Sequence, residues 1–209
     1  MAFFQWEFLK AFSAQQAYVD LTAPVVGNGS LRLVGAAAGT GAVQGRWAQA
    51  SNRGFRQGRV TTLVQPLAGV AVQDMYGVYG ATSQSNLTGT TGTCYAALLV
   101  VGGIPTAWSV NLVKVTAGFG SALTVLQTHV IPMAFGQPFG IQLQWLSDPQ
   151  IGTALRLAFG TALDLSDLVE QPVVQEPSVF LSASQGEGPL ASLTANGDVR
   201  FDQTSTEEI

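Results

Sequence analysis

General acid–base hydrolysis by side chains needs carboxyl groups brought close together, one of them kept protonated. In this 209-residue chain no glutamate occurs between Glu7 and Glu170. Asp74, Asp148 and Asp164 are scattered along the sequence, which does not assemble the converging oxygens that calcium needs. Asp164 and Asp167 stand three apart in a stretch with the character of a turn or cap, so a structural role is expected for both. Asp198 and Asp202 alternate with Arg200 along the final strand, where its outer face would let them pair with it. Cys94 and His129 are the only residues of their types, too few for a zinc cluster. Cys94 lies in an apolar run and is expected to be a small buried hydrophobe, with no disulfide partner. His129 lies far along the chain, in a strand-like stretch where a polar strand role is expected. No catalytic centre, cofactor or metal site is expected.

Binding asks for less chemistry. A sugar site needs only an exposed aromatic and amide donors. Trp108 and Trp145 alternate with polar residues and are expected in the core, as is Trp6 among phenylalanines. Trp47 is the best stacking candidate, although packing at a sheet edge would suit it better. Arg46, Arg53, Arg56 and Arg59 form a basic cluster. Lys10 and Lys114 are the only lysines and the net charge is −4, which argues against a phosphate-tracking groove and against nucleic acid as a partner. The arginines are expected to form a solvated edge or an interface, meeting the acidic Glu207 and Glu208 of an adjacent copy. No membrane segment is expected, because Gly, Gln and Thr punctuate every uncharged stretch. Glu7 interrupts the apolar start, which also lacks a basic leader, so cytosolic synthesis is expected.

Only 11% of residues are charged, against about 25% in ordinary soluble domains. Between Val60 and Ser147 the sole formal charges are Asp74 and Lys114. Such a surface provides little repulsion between molecules and costs less to desolvate than a charged one. It suits burial against other subunits.

The elements that must carry these residues are strands. Short apolar-alternating runs separated by Gly, Pro, Asn and Ser indicate a sandwich or barrel of about a dozen strands. Phe139, Ile141, Leu143 and Trp145 share one face, with Gly140, Gln142 and Gln144 on the other. A turn at residues 147–150 leads to the alternating run 153–159, completing a hairpin. Asn28-Gly29 and Asn196-Gly197 offer tight hairpin turns, the second joining residues 193–195 to 198–201. Further strands are expected at 2–8, 43–49, 57–65, 75–81, 94–101, 121–130 and 177–184, and around Trp108–Leu112. The strand from Tyr95 to Val101 is apolar on both faces and needs a cover from its own chain or a neighbour. The one helical candidate is Leu163–Glu170, and residues 204–209 form a short exposed tail. The whole chain, 1–209, is expected to be one β-sandwich domain.

The order of these elements resembles the concanavalin A-like lectin/glucanase superfamily, particularly its laminin G-like jelly rolls. The likeness runs through residues 29–33, the strand 57–65, Tyr76-Gly77-Val78-Tyr79-Gly80, the Tyr95 strand, Val110–Val115 and Leu123–Gln127, to Val199-Arg200-Phe201-Asp202. It implies a two-sheet antiparallel jelly roll and three functional classes: glycoside hydrolase, carbohydrate-binding module or non-catalytic structural module. The charge-poor, Thr/Gln/Gly-rich composition also resembles phage virion proteins. The expected function is therefore a non-catalytic structural protein of a phage virion, such as a capsid decoration or tail component. Its partners would be copies of itself and other virion proteins, and its place the virion, after synthesis in the host cytoplasm. A lectin-like module with glycan partners is the alternative. A glycoside hydrolase is disfavoured by the missing acids.

Overall fold

The computed structural model describes residues 3–5, 14–16, 25–27, 30–34, 44–48, 56–68, 74–81, 93–102, 107–116, 123–179, 187–193 and 198–209. In chain order the strands begin with β1 Phe3–Gln5, β2 Ala14–Gln16, β3 Val25–Gly27, β4 Ser30–Val34 and β5 Gln44–Ala48. The middle of the chain supplies β6 Gln57–Ala68, β7 Met75–Gly80, β8 Thr93–Val100, β9 Trp108–Thr116 and β10 Leu123–Ile131. Then come β11 Phe139–Asp148, β12 Gly152–Gly160, β13 Val169–Glu170, β14 Val174–Glu176, β15 Gly188–Leu193 and β16 Asp198–Glu208.

They form two antiparallel sheets. One has the order β13-β12-β11-β6-β16-β4-β3, with β1 also on β16 and β14 also on β12. The other runs β10-β9-β8-β7-β15-β5-β2. The chain passes back and forth between the two, as a jelly roll requires. No helix occurs among the described residues: the expected Leu163–Glu170 helix is a series of turns ending in β13. Asp164 and Asp167 bond to neighbouring amides there, which favours turns over helix.

Alternation decides which side chains enter the core. Ile141, Leu143, Trp145, Leu155, Leu157, Val199 and Phe201 of the first sheet meet Tyr76, Val78, Tyr95, Leu99, Trp108, Val110 and Leu112 of the second. The β11–β12 hairpin pairs as expected, from Gly140 opposite Gly160 to Asp148 opposite Gly152. Its turn is held by the Asp148 carboxylate, which accepts from the Gln150 amide at 2.7 Å. Trp145 fills the space between the sheets because glycines face it on both sides. A Cβ on Gly58 of β6 would lie 2.5 Å from the indole Cζ2, and one on Gly80 of β7 would lie 2.5 Å from Cζ3.

The second expected hairpin is corrected. β15 pairs with β5 and β7, whereas β16 pairs with β6, β4 and β1 in the other sheet. The strands before and after Asn196-Gly197 thus belong to different layers, since the core of a sandwich needs apolar side chains from both, and the expected turn itself lies outside the described residues. Asn28-Gly29 does lie between paired strands, with Gly27 opposite Ser30. The expected tail is corrected too. Residues through Glu208 belong to β16, and Thr204 and Thr206 are fully buried. A bulge between Asp202 and Ser205, with Gln203 at a φ of 50°, shifts the alternation and turns these threonines inward. Thr204 and Thr62 then share a hydroxyl contact at 2.7 Å.

The second face of β8 is buried within the chain: Cys94, Ala96 and Leu98 are shielded from solvent there, beside Tyr79, Val113, Val115 and Leu190 of the same sheet. Burial pushes the Cys94 thiol well above its ordinary range, which suits the inert role expected of it. The expected strand at 177–184 lies mostly outside the described residues.

Gly80→Val would force a branched side chain into the Trp145 ring. The expected cost is about 1–3 kcal/mol, as for other overpacked cores. Trp145→Ala, which empties the space instead, should cost about 3–5 kcal/mol. Urea denaturation followed by circular dichroism checks both, and a Gly80→Val variant as stable as the parent would contradict the clamp.

Candidate functional site

Of the residues expected to form a basic interface, Arg46 and Arg59 lie in different sheets. Arg46 lies in β5 of the seven-stranded sheet, opposite Ala191 and Gln16. Arg59 lies in β6 of the nine-stranded sheet and makes an ion pair with Glu207 of the same chain. Within the chain, β16 runs beside β6 and brings Glu207 opposite Arg59 in register. Glu208 stands opposite Gly58. Arg56 is exposed just before β6, and its carbonyl accepts the Ser147 amide at 2.7 Å. Arg53 lies outside the described residues. Trp47 stands in β5 opposite Leu190 and Gln15.

The structure brings together a different set. On the outer face of the nine-stranded sheet, register aligns Arg59, Gln144 and Arg156 in one row across β6, β11 and β12. Two residues along, Gln57, Leu146 and Ala154 form the next outward row. An open groove of about 200 Å³ is lined by residues that include Gln57, Gln144, Leu146, Arg156, Val173 and Ile209. Its volume lies below the range of about 300–1,000 Å³ typical of small-ligand sites, so it would hold only part of a ligand. Arg156 donates to Glu170 at 2.6 Å, but both side chains are exposed, so a ligand can compete with this pair at little cost. The groove therefore offers two side-chain amides and a guanidinium beside aliphatic walls. These groups can donate to and accept from hydroxyls, and they hold no nucleophile or acid–base pair. Sequence reading placed Gln142 and Gln144 outward but gave no sign that Val173 and Ile209 would wall the same strands.

Most of the described acids elsewhere are engaged or buried. Asp74 is fully buried and accepts from the Tyr76 hydroxyl at 3.2 Å. Asp198, expected on the outer face, is buried as well, because a bulge separates it from Val199. Burial above all, then the charges of Asp74 and Asp198, hold the Tyr76 hydroxyl protonated. Tyr76 is therefore a donor and not a base. Asp202 pairs with Arg200 at 2.7 Å as the alternation implied. Lys114 is held by Glu176 and Ser178, each at 2.7 Å. No group of three metal-ligating side chains occurs among the described residues. Nor does any described helix have the length and apolarity to cross a membrane. His129 lies with its ring 5.5 Å from that of Phe159, at the margin of the core.

Asp167 fastens the loop after β12. Its carboxylate accepts from the amides of Thr161 and Ala162 at 2.8 and 2.9 Å. These backbone bonds, Thr161 first, hold its carboxyl below the ordinary aspartate value of 3.8. The fold favours the charged form, so the anchorage is complete above that value and is lost as pH falls through the lowered one. Amide shifts of Thr161 and Ala162 in an NMR titration should move together in this acid range, and Asp167→Asn should abolish the movement.

No family model and no curated protein matches the sequence. Solved structures match by shape over nearly the whole chain. The CBM2 module of the Lactobacillus casei BL23 phage J-1 evolved Dit has a TM-score of 0.59 and 12% identity, with 99% of this chain and 96% of that one covered. The VIP36 exoplasmic/lumenal domain, in a Ca2+/Man3GlcNAc-bound form, has a TM-score of 0.58 and 8% identity, covering 95% and 84%. A double mutant of the alginate lyase Aly36B, in complex with alginate trisaccharide, has a TM-score of 0.57 and 8% identity, covering 100% and 98%. The fold is that of the jelly-roll, lectin-like sandwiches.

Proposed function

We propose that this chain is a non-catalytic binding module for hydroxyl-rich glycans. The observation that carries the reading is the open groove in which Gln57, Gln144 and Arg156 meet Leu146 and Val173. Planar amides and a guanidinium match vicinal hydroxyls, and aliphatic side chains cover the less polar edges of a sugar ring. The acids argue against catalysis. Asp74, Asp198 and Glu187 are buried, and the exposed Asp164 and Asp167 are bonded to their own loop. The shape shared with a sugar-bound lumenal domain and a phage CBM2 module supports binding. The shape shared with an alginate lyase makes turnover the alternative to test.

A second reading is favoured by the charge-poor span from Val60 to Ser147 and by the likeness to a module of a phage Dit. In it the chain is a virion component, and glycan binding would serve attachment to a cell surface. Mass spectrometry and antibody labelling of purified particles test this reading. A chain absent from the particles would remove it and leave the glycan-binding reading standing.

A glycan array followed by titration calorimetry should find a neutral or acidic oligosaccharide ligand. Gln144→Ala should weaken its binding about tenfold, a loss of about 1.4 kcal/mol in keeping with one or two hydrogen bonds. Trp47→Ala tests the aromatic alternative: loss of binding in that variant alone would move the site to the other sheet. Release of new reducing or unsaturated ends from the bound glycan would overturn the non-catalytic reading.

A further inference from the structure

Each terminal strand of a sheet presents unpaired backbone groups, and soluble proteins blunt such edges by shortness, charge or proline. Most of the terminal strands here follow that rule. β1, β2, β3 and β14 have three residues each and β13 has two. Glu170 and Glu176 charge the β13/β14 edge, and Pro172 lies between these strands. β10 is the exception. It spans nine residues, Leu123–Ile131, ends the seven-stranded sheet beside β9, and contains no Asp, Glu, Lys or Arg.

Its side chains match that neutrality. Val130 is 74% exposed, the highest value among the large apolar side chains described, and Val125 is 52% exposed. Thr124 and Thr128 are exposed as well. A bulge falls between Val125 and Gln127, but beyond it Gln127–Ile131 pairs residue for residue with Leu112–Trp108 of β9. That stretch is regular enough to template another strand. Thr128 and Val130 stand opposite Asn111 and Ser109, so both lie on the face away from the main core.

We infer that β10 is the self-association edge of this protein, pairing antiparallel with β10 of a second copy to join two seven-stranded sheets. A charge-free strand is complementary to itself, because a two-fold axis brings no like charges together. A strand carrying lysine or glutamate would be repelled by its own copy. The pairing fills the open backbone donors and acceptors of both edges. It also removes Val130 and Thr128 of each copy from water as β-branched cross-strand neighbours, a favourable class of contact. Edge pairing alone buries less than the roughly 1,200–2,000 Å² of a standard stable interface, so a reversible, concentration-dependent dimer follows. The glycan groove lies on the other sheet and stays open in this arrangement, and the inference stands whether or not that groove binds sugar.

Sedimentation velocity of the full chain over a range of concentrations provides the test, with Val130→Lys and Val130→Thr as the variants. The parent and Val130→Thr should show the same shift from monomer to dimer as concentration rises. Val130→Lys places two cations across the two-fold and should weaken the dimer at least tenfold, with an unchanged thermal unfolding curve. Hydrogen exchange at the β10 amides should slow with concentration in the parent and not in Val130→Lys. A parent that stays monomeric throughout overturns the inference. So does a dimer that survives Val130→Lys, or β10 amides whose exchange is indifferent to concentration.

Discussion

The packing of Trp145 between two glycines sets how the two sheets fit together. The indole lies over Gly58, its cross-strand partner on β6, and reaches Gly80 on β7 of the facing sheet. Protein interiors are packed as densely as organic crystals, so a ring of this size needs room that two missing side chains supply. The same contact aligns β11, β6 and β7, and the outward positions of β11 and β6 follow from it. Gln144 and Arg59 face outward because Trp145, Leu143 and Val60 face inward. The groove is thus a consequence of the core: strict alternation on β11 and β12 places amides and arginines on one face wherever the other is filled.

Much of this could be read in the residues. The β11–β12 hairpin was legible because apolar residues alternate without interruption on both sides of Asp148-Pro149, and the turn chemistry sits where the alternation stops. The burial of Trp108 and Trp145 followed from the same pattern. The Asn196-Gly197 pair misled because turn propensity is local, whereas strand pairing is decided by which layer needs each apolar face. β15 and β16 are successive in the chain and belong to different sheets. Residues 204–208 were misjudged for another reason. Threonine reads as surface in a sequence, yet a buried hydroxyl with a partner costs little, and Thr204 meets Thr62 inside the sheet.

The groove was less legible than the fold. Its members come from β6, β11, β12, the segment before β14 and the residue after β16, and no motif links them in sequence. The arginines that stand together in sequence, between residues 46 and 59, are divided between the two sheets or lie outside the described residues. Arg156, absent from that cluster, is the one beside the groove. Charge clusters in a β-sandwich are poor guides to surface patches, since a short length of chain suffices to cross from one layer to the other.

The place of β16 has a consequence for how the molecule is made. This strand is the last described element to be synthesised, yet it lies inside the nine-stranded sheet, with β6 along one side and β4 and β1 along the other. Until residues 198–208 have emerged, β6 has no neighbour on that side, and the earliest strands of the sheet have nothing to join. The pairings that complete the layer span most of the sequence, from Phe3 opposite Glu207 to Arg59 opposite the same residue. Closure of so many long loops is slow by its nature, because chain entropy is lost before the contacts that offset it form. The growing chain must therefore carry exposed apolar strands until β16 has been made. Its low charge gives that interval little protection against aggregation, so shielding of the nascent strands matters to the yield of folded molecules as much as the stability of the finished sandwich does.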